Sequence, residues 1–490
     1  MAKSRSKFSP AVDYFIYLAY RCITWVLLRL PLRWTFRLGQ VLGLLGYVAL
    51  ARYRKLASAN LRIAFPEWTE KQVRQGGRDH FKKITANLLS SFVLTQSPWE
   101  KASSYIDISS LQTQSAKIKG ASSVIWVINH IGNWELFILA PRWLQSPIWA
   151  VIYQKLRNRF IDQHVQHSRE SSGVVTIDRA DGLHRGVTVL RNGGMLGVLI
   201  DQHAGDKGVW TPFFGRLAST TPFPAVLAKK TGAALMPVSI VTSGIARWRV
   251  EVGDFIPSKE ASTEEITARI NLSLEKQIRK NPSDWFWVHN RWKTPKPRFL
   301  LRHYHRSVYV PPETASLKPF RVLIRSSDVA EEAALSVEAA RRIKRGRPDL
   351  YLTILVIANL ADCWRNVPEV DKIVEIKECT GVFGVAREIR DCFDVAILFA
   401  NSIRAGIEAW LAGIPRRVGY SRPLRDFFVN QFVREHSRSL TNQRNHYLRI
   451  AECIGADMVE QLPDLSSGDS IAEKSRSASE QGVEVRRHRA

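Results

Sequence analysis

The sequence predicts an α/β fold, with two successive parallel-sheet domains behind a basic, apolar amino-terminal segment. Three observations carry this reading. Val124 to Ile128, Met195 to Ile200 and Ala234 to Val241 are short apolar runs rich in β-branched residues, as strands covered on both faces must be. Amphipathic segments alternate with such runs from about Ser97 to Trp292, the βα alternation of a parallel sheet. A second alternation then begins: Arg321 to Ile324, Glu331 to Arg345, Leu352 to Ile357, Val395 to Phe399 and Ile403 to Leu411 read as strand, helix, strand, strand and helix.

The boundary between the two is marked by KTPKPRFLLRHYHR and VPPETASLKP, near residues 295 to 319. The expected organisation is a membrane-associated segment over 1–60, an α/β domain over 61–300, a linker over 301–318, a Rossmann-like domain over 319–465 and a polar, disordered tail over 466–490. A chain of 490 residues with 45% hydrophobic content is large enough for more than one core.

A formal charge of +26 calls for an acidic partner. Zinc-finger, RNP-type and basic-zipper patterns are missing, so nucleic acid is not expected. The five cysteines are scattered without C-x-x-C spacing, and neither a disulfide framework nor a metal site follows. The first sixty residues hold ten Lys or Arg against one acid, Asp13, set among YFIYLAY and WVLLRLPL. Their longest uncharged run, Leu38 to Ala51, would reach about 21 Å as a helix, short of a ~30 Å bilayer core, so a shallow amphipathic anchor on anionic lipid is expected.

The chemistry centres on SSVIWVINHIGNWELF, residues 122–137. The apolar run ends in Asn129 and His130, Ile131-Gly132-Asn133 supplies a turn, and a helix from Trp134 is expected to stop at Pro141. Strand, turn and helix bring His130 and Glu135 together. Glu135 is expected to accept a hydrogen bond from one ring nitrogen and leave the other basic toward a hydroxyl or amine. The strand Met195 to Ile200 ends in Asp201-Gln202, and ligand sites in open α/β sheets gather beyond strand carboxyl ends, so these residues are expected to converge on His130 and Glu135. Gly215, Arg216 and Thr220 suggest a tight turn into a capped helix whose amino end suits a phosphate or a phosphopantetheine arm. Trp285 and Trp287 read as core or interfacial anchors.

NHIGNWE resembles the H-x-x-x-x-(D/E) block of the bacterial lipid A biosynthesis acyltransferases, the lauroyl and myristoyl transferase family. Asp201 to Val238 and PSDWFWVHNRWK, Pro282 to Lys293, resemble that family's later blocks in the same order. The resemblance spans roughly residues 10–300. It implies acyl transfer from a thioester, carried by acyl carrier protein or coenzyme A, onto a hydroxyl of a phosphorylated glycolipid at the cytoplasmic face of the inner membrane, with no bound cofactor. His130 and Glu135 would be catalytic; Asn129, Arg157, Asp201, Gln202, Gly215, Arg216 and Thr220 would bind substrate. Where the family commonly shows Tyr-Arg, this chain has Tyr153-Gln154, and Arg157 is the replacement candidate. Another membrane lipid as acceptor and a non-catalytic glycolipid-binding scaffold remain as alternatives.

FANSIRAGIEAWLAGIPRRVGY, Phe399 to Tyr420, resembles the amino-terminal half of heptosyltransferases. The glycine-rich turn expected after the first strand is replaced by Arg325-Ser-Ser-Asp328, Glu331 takes the acid position, and too little chain follows for a second half. This domain is therefore expected to dock a glycolipid or a partner glycosyltransferase, without sugar transfer, and to be dispensable for acyl transfer.

Overall fold

The computed structural model describes residues 9–144, 148–294, 301, 308–314, 316–390, 393–433 and 443–456. The tail over 466–490, most of the boundary around 295–307 and Cys392 lie outside them.

Helices come first: α1 (Pro10–Arg29), capped by the Ser9 hydroxyl, α2 (Leu32–Ala49), α3 (Ala51–Ala64) and α4 (Glu70–Leu94), which opens on a reciprocal Thr69 and Gln72 capping box. α1 is 20 residues long and, by length and composition, apolar enough to cross a bilayer. The uncharged run that set the expected reach, Leu38 to Ala51, lies mostly in α2, whereas α1 continues through Asp13 and Arg21 without a break. α2 and α3 meet at 94°. α2 lies against α4 at backbone distance. A Cβ on Gly39 would stand 2.4 Å from Ala86 Cα, and one on Gly43 would stand 2.2 Å from the Phe81 carbonyl oxygen.

The first sheet contains β1 (Ile106–Asp107), β2 (Val124–Gly132), β3 (Trp149–Tyr153), β4 (Val174–Asp178), β5 (Met195–Leu199), β8 (Ala234–Gly244) and β9 (Arg247–Val252), with a separate antiparallel hairpin of β6 (Val209–Phe213) and β7 (Arg216–Thr220). Its order is β1-β9-β8-β2-β5-β3-β4, with all neighbours parallel except β8 and β9. β2 is buried on both faces, as its composition requires. Ile125, Val127 and Ile131 enter one core with Leu61 and Val73, while Val124, Trp126 and Ile128 enter the other with Leu27, Leu32 and Phe36. Pro141 does not end the segment after β2. A 3-10 turn over Trp134–Leu139 passes into a short α-helix, Ala140–Leu144, where proline occupies the first turn and its missing N–H costs no hydrogen bond. Covering helices are α5 (Arg159–Ser171), α6 (Gly182–Arg191), α7 (Phe223–Thr231) and α8 (Thr263–Lys280).

The second sheet is fully parallel: β10 (Phe320–Arg325), β11 (Leu350–Ile357), β12 (Lys372–Ile376), β13 (Val395–Leu398), β14 (Arg416–Tyr420) and β15 (Gln431–Val433) in the order β12-β11-β10-β13-β14-β15. The chain reverses direction across the sheet between β10 and β13, the doubly wound pattern expected from the sequence. α9 (Ala330–Arg345) and α10 (Ile403–Leu411) cover it. Glu331 is exposed in the first turn of α9, whereas Glu332 accepts from the Ser327 and Tyr447 hydroxyls.

The two sheets are tied together through the β6–β7 hairpin. Arg216 pairs with Asp394 at 2.5 Å, the Lys318 amide donates to the Gly215 carbonyl, and the Tyr309 amide donates to Trp210. Arg416 donates to the Thr294 carbonyl at 2.7 Å. These contacts argue against a dispensable carboxyl-terminal domain.

Candidate active site

His130 sits where β2 has run past its partner β5. The register pairs Ile128 with Leu199, so His130 and Asp201 each stand two residues beyond the last paired residues of two adjacent parallel strands. The Asp201 carboxylate spans the gap. Its Oδ1 lies 2.6 Å from His130 Nδ1, and its Oδ2 accepts from the His130 amide at 2.8 Å and from Trp285 Nε1 at 2.7 Å. Asp201 is buried. Burial pushes its carboxyl upward, but the His130 charge, the hydrogen bonds to the His130 side chain and amide and that from Trp285 outweigh this and hold it down at about 2. Burial acts against the His130 imidazolium, yet the Asp201 charge and hydrogen bond, with a smaller contribution from Glu135, raise its pKa above the ordinary value.

The acid that orients His130 is therefore Asp201, which corrects the expected role of Glu135. Glu135 accepts instead from Trp134 Nε1 at 3.2 Å and from Arg169 Nη2 at 3.1 Å. Arg169, on α5, also lies over the Tyr153 ring at 4.8 Å. The turn that separates His130 from Glu135 depends on Gly132, at φ +58°, where a Cβ would come 2.0 Å from the Ile240 carbonyl oxygen. Gln202, exposed beside the pair, places its Nε2 3.4 Å from His130 Nε2, so the second ring nitrogen faces the exposed Gln202 amide. Trp134 and Phe286 flank the imidazole with ring centroids at 4.9 and 5.8 Å.

Other expected binding residues have different duties. Asn129 is buried and donates to Gln277 on α8 at 2.6 Å. Arg157 is exposed on the loop between β3 and α5, and its neighbour Asn158 caps α5. Gly215, at φ +74°, forms the hairpin turn, and Arg216 has Asp394 as its anion. Thr220 is fully buried with Asn271 and Arg291, and Thr221 supplies the hydroxyl at the start of α7.

Several residues escaped sequence reasoning. Arg291 is buried, donates to Ser219 and Thr220, and is pulled down to about 10 by burial against a favourable Asp201 field. His289 accepts from the His203 amide at 2.8 Å and is lowered to about 4, mainly by burial. Arg169 lay in an amphipathic helix with no distinguishing local signal, and Trp285 was legible only as a core or interfacial anchor. Asn60, buried, donates to the carbonyls of Trp287 and His289 and so fixes the segment that delivers Trp285 to Asp201. Among the described residues no group of three or more His, Cys, Asp or Glu is placed to hold a metal ion.

Comparison with known proteins bears on this site. The family model described as bacterial lipid A biosynthesis acyltransferase matches residues 3–294. The Escherichia coli lipid A biosynthesis palmitoleoyltransferase is 24% identical over 275 residues, 56% of this chain and 89% of that protein. The Mycobacterium tuberculosis phosphatidylinositol mannoside acyltransferase is 24% identical over 191 residues, 38% of this chain and 59% of that one. Among solved structures, a family 9 glycosyl transferase from Veillonella parvula is similar at 19% identity and a TM-score of 0.27, covering 29% of this chain and 42% of that one. With a family match over more than half its length and the block carrying His130 inside it, the chain belongs to the bacterial lipid A biosynthesis acyltransferase family and is an acyltransferase.

Proposed function

We propose that this acyltransferase moves a fatty acyl chain from an acyl thioester, on acyl carrier protein or coenzyme A, to a hydroxyl of a lipid A-type glycolipid. The observation that carries the reading is the His130 and Asp201 pair. A proton held on Nδ1 toward Asp201 leaves Nε2 as the acceptor, on the side of the exposed Gln202. Nε2 removes the acceptor hydroxyl's proton as its oxygen bonds to the thioester carbonyl carbon. Collapse of the tetrahedral intermediate breaks the C–S bond, and the proton passes from His130 to the departing thiolate. No acyl-enzyme is needed. Charge on the carbonyl oxygen meets donors in Gln202 and in Arg169, whose guanidinium Glu135 holds in place.

The amino-terminal helices support work at the cytoplasmic face of the inner membrane. Phe15, Trp25, Trp34, Val41, Leu45 and Val48 are exposed on α1 and α2, with Arg29, Arg33 and Arg37 exposed among them. A second reading, acyl transfer to another membrane glycolipid, is favoured by the mycobacterial relative, whose name specifies phosphatidylinositol mannoside. Incubating purified protein with acylated carrier protein and each acceptor, followed by mass spectrometry of the lipid, tests both. Acylation of neither acceptor by wild-type protein, or of either by His130→Ala at the wild-type rate, would remove the proposal.

A further inference from the structure

We infer that the second sheet is part of the acyltransferase machinery, with Arg216 and Asp394 as positioning residues that hold the Asp201 loop against His130 through the β6–β7 hairpin. This rests on the acyl-transfer reading above.

At the hairpin's turn, the Gly215 carbonyl accepts from the Lys318 amide at 2.6 Å, and the Lys318 ammonium reaches the Ile63 carbonyl at 2.5 Å. The first residue of β7, Arg216, is ion-paired to Asp394, whose other oxygen accepts from the Arg321 amide at 3.0 Å at the start of β10. Both side chains are largely buried, where such a pair has few other partners and water screens it weakly. On the outer strand, Trp210 pairs with the 308–309 segment. All of these clamps come from outside the first sheet.

The opposite end of β7 holds the catalytic loop. The Ser219 carbonyl accepts from the Ala204 amide at 3.2 Å, and the Ser219 hydroxyl donates to the Gly205 carbonyl at 2.5 Å. Ala204 and Gly205 follow directly on Asp201, Gln202 and His203. Ser219 and Thr220 also receive the buried Arg291 guanidinium, whose charge acts on Asp201. Gly208, at the start of the hairpin, leaves no room for error, since a Cβ there would come 2.3 Å from the Ser219 hydroxyl oxygen. A five-residue strand thus has the second sheet fastened at one end and the loop of the orienting acid at the other. Displacing the first end shifts the second, because a hydrogen-bonded strand moves as a unit.

The test uses the full-length protein and acyl transfer from an acylated carrier protein, measured across pH for the parent, Arg216→Ala, Asp394→Ala, the double variant and the exchanged pair Arg216→Asp with Asp394→Arg. Arg216→Ala leaves the Asp394 bond to the Arg321 amide intact, which separates positioning from damage to the second sheet. Each single variant is expected to lose about ten- to a hundredfold in kcat. The acidic limb of its kcat/KM profile should also move to lower pH, as Asp201 loosens its hold on His130. The double variant should be no worse than the singles, and the exchanged pair should recover part of the rate. An unchanged rate and limb overturns the inference. So does a loss that tracks the folded fraction while the limb stays where it was. Parental rates from His130→Ala in the same assay would instead sink the acyl-transfer reading itself.

Discussion

His130 Nδ1 lies 2.6 Å from Oδ1 of Asp201, a residue 71 positions further along the chain, and the same carboxylate binds the His130 backbone amide. Two points of attachment leave the imidazole with one tautomer and one orientation. Everything expected of the site in solution follows from that restraint.

Replacing His130 by Ala should lower acyl transfer by roughly 100- to 10,000-fold, the usual cost of losing a positioned general base. Far-ultraviolet circular dichroism and elution volume should stay those of the parent, because the imidazole is at the edge of the core. Asp201→Asn should cost a comparable factor while leaving the site's volume unchanged, since an amide can donate toward Nδ1 and favour the wrong tautomer. Single-turnover rates on purified variants decide both.

The pH profile of kcat/KM should show an acidic limb set by His130. Asp201 and Glu135 raise its pKa above the ordinary 6.5, so activity is expected to rise only as pH passes above that value. Asp201 acts on stability in the other direction. Its folded value near 2 lies below the 3.8 of an unfolded carboxyl, so its contribution is present above pH 3.8 and disappears as pH falls toward 2. Acid unfolding of Asp201→Asn should lack that component.

Gly43→Ala should be among the costliest single-methyl additions in the protein. Its Cβ would meet the Phe81 carbonyl oxygen at 2.2 Å, and overpacking of this kind costs about 1–3 kcal/mol or more. Gly46→Ala, whose Cβ meets nothing closer than 3.8 Å, is the control and should be neutral or mildly stabilising. Thermal unfolding of both in the same detergent makes the comparison.

Arg33→Glu and Arg37→Glu should weaken binding to vesicles containing anionic lipid by about 1 kcal/mol or more for each position, with little effect on neutral vesicles. Co-sedimentation at low and high salt reads this directly. Removal of residues 1–60 would not isolate the membrane contribution, because Leu27, Leu32 and Phe36 belong to the core beneath the first sheet.

The central strands β2, β5, β8, β10, β11 and β13 and the parallel character of the sheets were legible because short, buried apolar runs have few other uses, whereas the strand order and the antiparallel β8–β9 pair carried no such signal. The sequence also marked His130 and Asp201, each as a polar residue closing such a run, and brought them to the same edge of the sheet. It named the wrong carboxylate as the partner because proximity along the chain favoured Glu135, while the true neighbour depends on a register between β2 and β5 that no local pattern encodes. The same holds for Arg216. An arginine after a glycine turn reads as an anion site, and here the anion is Asp394, supplied by the chain itself 178 residues later. Trp285 was classed by its hydrophobic bulk, and its single N–H, aimed at Asp201, has no signature in composition.

The contact of α2 with α4 through Gly39 and Gly43 fixes how the exposed face of α2 is held relative to the catalytic body. A helix joined to the catalytic body by a flexible tether would let that body roam above the lipid. α2 has no such freedom, since its inner side is locked to a helix that packs on the first sheet while its outer side carries the exposed apolar residues. On the proposed reading, in which that outer face lies in lipid, the imidazole of His130 would ride at one fixed height above it, and an acceptor hydroxyl would be selected by how far it projects from the headgroup plane.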